Sequence, residues 1–417
     1  MELLSPASLE EAADCVRAAI ADKAPLEILG AASKRGFGRP VAAAKQLTSA
    51  GMSGIISYHP EELVLVARAG THMDEIWTAL NARNQHLAFE PPDFGKLYPG
   101  ADAGSNRTGT LGGVLATNLS GPRRFKAGAA RDHFLGFSAV NGRGEIFKGG
   151  GPVVKNVTGY DLCKLLAGSW GTLSVMTEVT LKVMPKPEAE RTLLLRGLDD
   201  AAANKAMTAA LGSPYDVSAA AHLPKSTFRT KTEGLGDLAS DGESRTMLRL
   251  EGITSSAAHR AGSLRDLLAP FGAATLIEDA PSAALWATIR DVMPFAAGGA
   301  LGAWPVWRIV CPPASGAALG TQLAGETGGE VIYDWGGGLI WAALPPKADA
   351  HAPAVRARAA AVGGHAMLIR AAEDVRRDVD VFHPQAPGIA ALSERVRASF
   401  DPKTVLNRGR LRRGVGA

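Results

Sequence analysis

The chain has 417 residues, 48 of them glycine, and its formal net charge is +4. This length fits two or three domains with sizeable cores, and 46% hydrophobic with 21% charged residues excludes a disordered chain. The charge is nearly balanced and no long basic block occurs, which argues against a nucleic-acid-binding protein.

The cysteines and the N-terminus indicate the compartment. Cys15, Cys163 and Cys311 are far apart and form no CxxC pair, so the chain lacks the four thiolates of an iron–sulfur cluster. A disulfide framework does not fit either, and we expect a cytoplasmic protein. The acidic residues Glu2 and Glu10 are unlike a secretory signal, and no apolar run reaches the roughly 18 residues of a membrane helix. We expect at most peripheral attachment to the cytoplasmic membrane.

Hydrophobic periodicity and turn residues predict the elements of the first 185 residues. Ser8 and Glu11 form a capping-box pattern that predicts a helix, and the turn at 141–144, between alternating apolar segments, predicts a hairpin. In chain order we predict a helix at 8–20, a strand at 26–29, a loop at 30–38, paired strands at 54–57 and 63–68, a helix at 71–84, a loop-rich stretch at 91–131, the hairpin at 137–148 and a strand at 175–183.

The order of the predicted helices and strands changes after Pro185. Residues 192–279 and 304–371 each follow the order strand, helix, strand, strand, helix, strand. We predict an α+β fold in which these two halves share one antiparallel sheet. A helix at 282–292 lies between them, and a last helix is predicted at 389–400.

Glycine is concentrated in one stretch, because residues 95–171 hold 17 of the 48. Glycine permits close approach of the backbone to a ligand, and the run 99–121 mixes it with Thr, Ser and Asn. The alternative is two tight turns around a short helix. The earlier loop 30–38 can hold phosphate with its backbone N–H groups, although it matches neither the Rossmann nor the P-loop spacing. A plain surface loop is the alternative there.

Three motifs in order carry a family resemblance. They are TLGGVLATNLSGP at 110–122, DHFLG at 132–136 and the run 156–181, which contains NVTGYDL and SWGTLSVMTEVTL. Together they resemble the FAD-binding domain of the vanillyl-alcohol oxidase/PCMH flavoprotein superfamily over residues 1–185, and the tail 400–410 is similar to its C-terminal segment. The runs VVKNVTGYDL, WRIVCPP and YDWGGGLIW extend the likeness, to the FAD-binding subunits of bacterial glycolate oxidases, over nearly the whole chain.

The resemblance implies an architecture. Residues 1–185 would form a PCMH-type FAD-binding domain of two subdomains. Residues 186–385 would form an inserted α/β cap built on an antiparallel sheet. Residues 386–417 would return to the FAD-binding domain.

The resemblance also implies where FAD binds. Loop 30–38 would hold the diphosphate, and residues 108–113 and 118–121 would run along the diphosphate and the isoalloxazine. Backbone groups of Val175–Glu178 would meet the adenosine and ribose. Asn407 and Arg410 would return to the flavin ring, where an arginine stabilises negative charge on the reduced flavin. The implied FAD-binding residues are Gly30, Ala31, Ala32, Ser33, Lys34, Thr108, Gly109, Thr110, Gly112, Gly113, Asn118, Ser120, Gly121, Asp132, Gly171, Val175, Glu178, Asn407 and Arg410.

The first loop bears on how FAD is attached. Relatives with a histidyl link carry the histidine in this loop, where the chain has Ala31, Ala32 and Ser33. We therefore predict non-covalent FAD. Ala32 departs from the pattern, since glycine or asparagine is expected at that position.

Two residues are candidates for catalysis. Arg308 could face the flavin and bind a carboxylate with two hydrogen bonds, or point outward from an alternating strand. His383 could act as a base, or simply satisfy a turn. Related dehydrogenases hold a metal with paired histidines, and here His365 alone matches that motif. A single histidine is a poor metal site, so we predict no metal.

The function implied by the resemblance is oxidation of glycolate or a similar 2-hydroxy acid to the 2-oxo acid by hydride transfer to FAD. The implied partners are a second FAD-containing glycolate oxidase subunit and an iron–sulfur subunit. Two alternatives remain open: a self-sufficient FAD-dependent 2-hydroxyacid dehydrogenase, and a non-catalytic, flavin-stabilised scaffold.

Overall fold

The computed structural model describes residues 1–98, 108–151, 159–229 and 242–412. Two stretches singled out in the sequence lie outside these ranges. They are the first part of the glycine-rich run, at 99–107, and the residues before Gly159 in the third motif.

The N-terminal part of the chain, residues 1–185, is built on two main sheets. Its strands are β1 (Glu2–Leu4), β2 (Leu26–Leu29), β3 (Lys45–Thr48), β4 (Ile55–His59), β5 (Val64–Arg68), β6 (Gln85–His86), β7 (Phe134–Asn141), β8 (Ile146–Gly150), β9 (Ser174–Lys182) and β10 (Met184–Pro185). Its helices are α1 (Leu9–Ala21), α2 (Met73–Asn81), α3 (Leu111–Thr117), α4 (Arg124–Ala127), α5 (Ala130–His133) and α6 (Leu162–Leu166).

These sheets confirm the local predictions. One sheet is parallel, in the order β1-β3-β2, and the other is antiparallel, in the order β4-β5-β9-β7-β8. The predicted hairpin is β7–β8, and Asn141 Oδ1 sets its turn by accepting the N–H groups of Arg143 at 2.8 Å and Glu145 at 3.1 Å. At the start of α1, Ser8 Oγ accepts the N–H of Glu11 at 3.1 Å, which is the predicted cap.

The described strands of the large sheet lie between Ala189 and Arg370, with helices between and after them. The strands are β11 (Ala189–Arg196), β12 (Val217–Leu223), β13 (Arg245–Gly252), β14 (Ala274–Glu278), β15 (Val306–Val310), β16 (Glu330–Asp334), β17 (Leu339–Ala343) and β18 (His365–Arg370). The helices are α7 (Asp200–Leu211), α8 (Thr254–Leu268), α9 (Asp279–Arg290), α10 (Pro313–Thr327), α11 (Ala352–Ala361), α12 (Glu373–Asp378) and α13 (Pro387–Phe400).

The large sheet confirms the α+β class and the joining of two halves. Its described strands run in the order β14-β11-β13-β12-β16-β17-β15-β18, and every pair is antiparallel. The halves meet where His222 of β12 pairs with Tyr333 of β16. The helix predicted at 282–292 is α9, which begins at Asp279, directly after β14.

The two faces of the large sheet have different neighbours. Trp307 and Ile309 of β15 belong to the core with residues of α10 and α11. The opposite face shares a core with the N-terminal part, in which Trp341 of β17 packs with Phe37 and Phe94. The sheet therefore lies against the N-terminal part through an apolar interface.

The C-terminal segment extends the parallel sheet of the N-terminal part. Leu26 N–H donates to Val405 O at 2.7 Å, and Asn407 N–H donates to Leu26 O at 2.9 Å. Residues from both ends of the chain therefore lie side by side. Among the helices of the described ranges, none is long and apolar enough to cross a membrane.

Candidate functional site

A cleft lies in the N-terminal part. It encloses about 790 Å³ free of protein atoms, part of it open solvent, whereas an adjoining second hollow encloses about 220 Å³. The cleft is formed by loop 30–35, α3, the start of β9 and the C-terminal segment. Its lining residues are Ile28, Leu29, Gly30, Ala31, Ala32, Ser33, Lys34, Arg35, Ser49, Ala69, Thr110, Gly112, Gly113, Ala116, Thr117, Trp170, Gly171, Ser174, Val175, Met176, Asn407 and Arg410.

The loop that follows β2 forms one wall through close backbone packing. A Cβ at Gly30 would lie 2.1 Å from Thr110 Oγ1, so only glycine lets the loop meet the start of α3. Ala32 has φ of +56°, in the left-handed region that favours glycine or asparagine. The residue that departs from the family pattern therefore occupies a conformation that disfavours alanine.

Helix α3 presents an open glycine face to the cleft at Gly113, next to the closely packed Gly112. Gly112 packs against Ala69, whose Cβ would lie 2.9 Å from a Cβ added at position 112. At Gly113 an added Cβ would have a single described neighbour within 4 Å, Thr110 Oγ1 at 3.3 Å. A side chain at position 113 would therefore project into the cleft.

Ser174 supplies a buried polar atom that lacks a partner. It is 3% exposed, lies at the start of β9 and lines the cleft. Its Oγ has no hydrogen-bond partner among the described residues. Since buried hydroxyl groups are nearly always satisfied, this atom indicates a ligand with a polar group beside it.

Lys34 lies between the cleft and the second hollow and lines both. Burial lowers the pKa of its ammonium group to about 8, although Asp93 opposes the shift. An anion bound beside Lys34 would stabilise its charged form. The loop therefore offers a cation where the sequence resemblance implies a diphosphate.

Asn407 joins three segments around the cleft. Its Oδ1 accepts the N–H of Ile28 at 2.8 Å, and its Nδ2 donates to Trp170 O at 2.7 Å. These bonds hold β2, the turn before β9 and the C-terminal segment together.

Arg410 also lines the cleft, but its guanidinium has protein partners. Nη1 donates to the carbonyls of Phe37 at 3.1 Å and Arg39 at 3.2 Å, and Nη2 donates to Glu27 at 3.3 Å. Burial lowers its pKa to about 10, with Glu27 opposing. Arg410 therefore ties the C-terminal segment to loop 35–39.

Several implied FAD-binding residues lie around the cleft rather than on its surface. Thr108 and Gly109 line the second hollow. Asn118 ends α3 and accepts the N–H of Arg131, Ser120 accepts that of Ala130 and Asp132 accepts that of Ala129. Gly121 packs against Glu90. Glu178 of β9 lies opposite Arg68 of β5 and Ser138 of β7 in the register of the antiparallel sheet.

The two candidate catalytic residues do not line the cleft. Arg308 lies on the sheet face toward the N-terminal part, with its guanidinium carbon 4.9 Å from the ring centre of Trp335. Burial lowers its pKa to about 10, aided by Arg124 and opposed by Asp334.

His383 lies at the far edge of the large sheet. Its Nδ1 accepts the N–H of Ala366 at 3.2 Å, and its ring centre is 6.3 Å from that of His365. Burial lowers its pKa, and so does Arg356. Within the described ranges, no group of three or more His, Cys, Asp or Glu side chains could hold a metal ion.

Part of the cleft wall was not predicted. Arg35 and Met176 lie within the predicted ranges 30–38 and 175–178, but eight other lining residues do not. Ala116, Thr117, Trp170 and Ser174 lie inside the quoted motifs, and Ser174 carries a usable signal because it follows the glycine-rich turn and directly precedes Val175. The remaining four, from segments without a motif, are Ile28, Leu29, Ser49 and Ala69.

The fold and the cleft define the class of protein as a flavoprotein. The family model described as "FAD binding domain" matches residues 2–150. The solved structure of p-cresol methylhydroxylase with substrate bound has the same fold, with a TM-score of 0.69, 15% identity, and coverage of 98% of this chain and 88% of that one. The residues present fit FAD, because the cleft holds an unsatisfied Ser174 hydroxyl and an open glycine face.

A relative at full length gives the particular family. Glycolate oxidase subunit GlcE of Escherichia coli K12 is 31% identical over 398 residues, which cover 95% of both chains. The chain belongs to this family of glycolate oxidase subunits. Glycolate oxidase subunit GlcD of Bacillus subtilis is 43% identical over 100 residues, 24% of this chain and 21% of that protein.

Proposed function

We propose that this chain is the FAD-binding subunit of a glycolate oxidase complex. The complex would oxidise glycolate or a similar 2-hydroxy acid to the 2-oxo acid, and electrons would pass to partner subunits. The likeness to subunit GlcE over 95% of both chains carries this proposal. When bound, FAD supplies the acceptor for the hydride or electrons.

The chain's own residues would hold FAD without a covalent bond. Loop 30–34 would hold the diphosphate, with the Lys34 ammonium balancing its charge. Ser174 Oγ would donate to a polar atom of the cofactor, and Gly113 would let it approach α3. Among the described lining residues there is no histidine or cysteine, which supports non-covalent binding.

The partners would be a second FAD-containing glycolate oxidase subunit and an iron–sulfur subunit. The chain has three cysteines, Cys15, Cys163 and Cys311, which is too few for the four thiolates of a cluster, so an iron–sulfur centre would lie on another chain. We also propose that the chain lies in the cytoplasm and contacts the membrane only through the complex.

We further propose three parts of the chain. These are the FAD-binding domain at 1–185, the cap at 186–385 and the segment at 386–417, which returns to the FAD-binding domain.

Purification of the tagged chain from its native cells tests this function. We expect flavin and iron to copurify with it, together with a second flavin-containing chain and glycolate-dependent reduction of an artificial electron acceptor. A chain that purifies without flavin, and that does not retain FAD when FAD is added, would contradict the proposal.

A further inference from the structure

The turn that joins β16 to β17 has an unusual backbone. Three consecutive residues have positive φ: Trp335 at +53°, Gly336 at +65° and Gly337 at +94°. Asp334 Oδ1 accepts the N–H of Trp335 at 2.7 Å, which fixes the start of the turn. Positive φ is unfavourable for a bulky residue such as tryptophan, and it persists where the surrounding structure imposes it.

Two helices that pack on the large sheet hold this turn in place. Asn204 Nδ2 of α7 donates to Gly336 O at 3.3 Å and to Pro313 O, at the start of α10, at 3.0 Å. A Cβ added at Gly316 of α10 would lie 2.0 Å from Gly337 O, so helix and turn are in backbone contact. The turn is therefore fixed to both helices, and its first residue is fixed with it.

The Trp335 side chain reaches from this turn to the N-terminal part of the chain. Its Nε1 donates to Gly121 O at 3.0 Å, and its ring centre lies 4.9 Å from the guanidinium carbon of Arg308. A Cβ added at Gly121 would lie 2.5 Å from Glu90 O and 3.0 Å from Arg290 Cγ of α9. The Gly121 backbone is therefore held between the N-terminal part and residues that belong to the large sheet and its helices.

The segment held in this way continues a wall of the cleft. Thr117, the last residue of α3, lines the cleft, and Gly121 follows it by four residues. Asn118 ends the helix with φ of +49°, and Leu119 is buried in the core that the N-terminal part shares with the large sheet. Because the connection 118–121 is short and packed, a shift of Gly121 would move the end of α3 and this part of the cleft wall.

We propose that Trp335 is a positioning residue for the cleft, because its indole N–H fixes Gly121 and, through the connection 118–121, the end of α3. This inference rests on the proposed function, in which the cleft holds FAD. Trp335 would act on the cofactor through the backbone of another part of the chain. FAD binding and the hydrogen bond from Trp335 to Gly121 would then stabilise each other by the same factor.

Trp307 offers a matched control in the same sheet. Its Nε1 donates to Ala350 O at 2.8 Å, and its ring centre lies 5.3 Å from the guanidinium carbon of Arg356. It belongs to the core with α10 and α11, on the other face of the sheet from the N-terminal part. Trp307→Phe therefore removes the same kind of hydrogen bond as Trp335→Phe and keeps a ring beside an arginine, but away from Gly121.

Titration of the full-length wild-type chain and the two variants with FAD tests the coupling. We expect Trp335→Phe to raise the FAD dissociation constant about threefold to tenfold, the factor that one hydrogen bond contributes. The visible circular dichroism of its bound flavin should also change, because the cleft wall beside the flavin has moved. Trp307→Phe should leave both the dissociation constant and the spectrum unchanged.

The possible outcomes separate this inference from the proposed function. Wild-type affinity together with a wild-type flavin spectrum in Trp335→Phe would overturn the inference and leave the proposed function standing. An equal loss of affinity in both variants would also overturn it, because a general weakening of the large sheet would then explain the loss. A wild-type chain that binds no FAD would contradict the proposed function and the inference with it.

Hydrogen exchange of the wild-type chain gives a second test that needs no substitution. By linkage, FAD should slow amide exchange in the turn 335–338 by about threefold to tenfold. The turn at 327–329, which precedes the opposite end of β16, should exchange at the same rate with and without FAD. Mass spectrometry of peptides from both turns measures the rates. Exchange at 335–338 that does not respond to FAD would overturn the coupling.

Discussion

Arg249 and Glu90 form a two-point ion pair between the large sheet and the N-terminal part of the chain. Both nitrogens of the guanidinium fork lie 2.9 Å from the carboxylate oxygens, and the Arg249 side chain is 1% exposed. Arg123 belongs to the same cluster of charges, and its guanidinium donates a hydrogen bond to the carboxylate of Glu251. Burial raises the pKa of Glu90, but Arg249 and Arg123 more than offset this, so its pKa is lowered overall.

The first prediction concerns this pair. Glu90→Gln should lower the free energy of unfolding by about 3 kcal/mol, because it removes the two-point partner of the buried Arg249 charge and leaves the longer contacts to Glu251 and Glu190. Urea denaturation measures the effect. The matched control is Glu373→Gln, whose ion pair with Arg377 has both side chains 63% exposed and should contribute about 0.5 kcal/mol or less. Equal losses in the two variants would show that the buried pair does not hold the two parts together.

The second prediction concerns pH. Burial raises the pKa of Glu251, but Arg249 and Arg123 dominate and bring it down to about 2. A carboxylate whose folded pKa is depressed stabilises the fold above its unfolded pKa of about 4.3, and that stability is lost as pH falls toward 2.

The free energy of unfolding should therefore decrease between pH 5 and pH 3, and Glu251→Gln should flatten part of this slope. Chemical denaturation at several pH values measures both slopes. An unchanged slope in Glu251→Gln would mean that Glu251 is not the group that loses its charge.

The third prediction concerns the strained loop. Ala32 has φ of +56°, which costs an alanine about 1–2 kcal/mol. Ala32→Gly removes that strain and adds about 0.5–1 kcal/mol of unfolded-chain entropy, so the net gain in stability should be about 0.5–1 kcal/mol. Ala31, which has no positive φ, is the control, and Ala31→Gly should destabilise the chain by about 0.5–1 kcal/mol. The same sign in both variants would rule out strain at position 32.

The fourth prediction concerns the open face of α3. Gly113→Leu should reduce retained flavin at least tenfold, because its side chain enters the cleft. The control is Gly262→Leu in α8, where an added Cβ would meet no described atom within 4 Å. Flavin absorbance per chain after gel filtration measures retention. A Gly113→Leu chain that keeps its flavin would place FAD elsewhere.

Local features of the fold could be predicted from the sequence because their causes are local. The hairpin follows from the Asn141 turn, and the first helix from the Ser8 cap. The joining of the two sheet halves followed from their repeated order of elements. Helix α9 begins earlier than predicted because Asp279 directly follows β14, and a boundary of this kind depends on where the strand ends.

The candidate site could be predicted only in part. The motifs marked Gly30, Gly113 and Asn407 through the family resemblance, and all three line the cleft. They did not reveal the partners of Arg410 in loop 35–39, which lie about 370 residues away in the chain. They also could not show that Trp170 joins a core with the cap, since that contact exists only when the two parts are packed.

The most direct test of the account is the flavin content of the purified chain and its state after acid precipitation. We expect about one FAD per chain, released entirely into the supernatant, because the described lining residues include no histidine or cysteine to bind the ring covalently. Flavin that stays with the precipitated protein would contradict non-covalent binding. A chain that holds no flavin, even after incubation with excess FAD, would contradict the account as a whole.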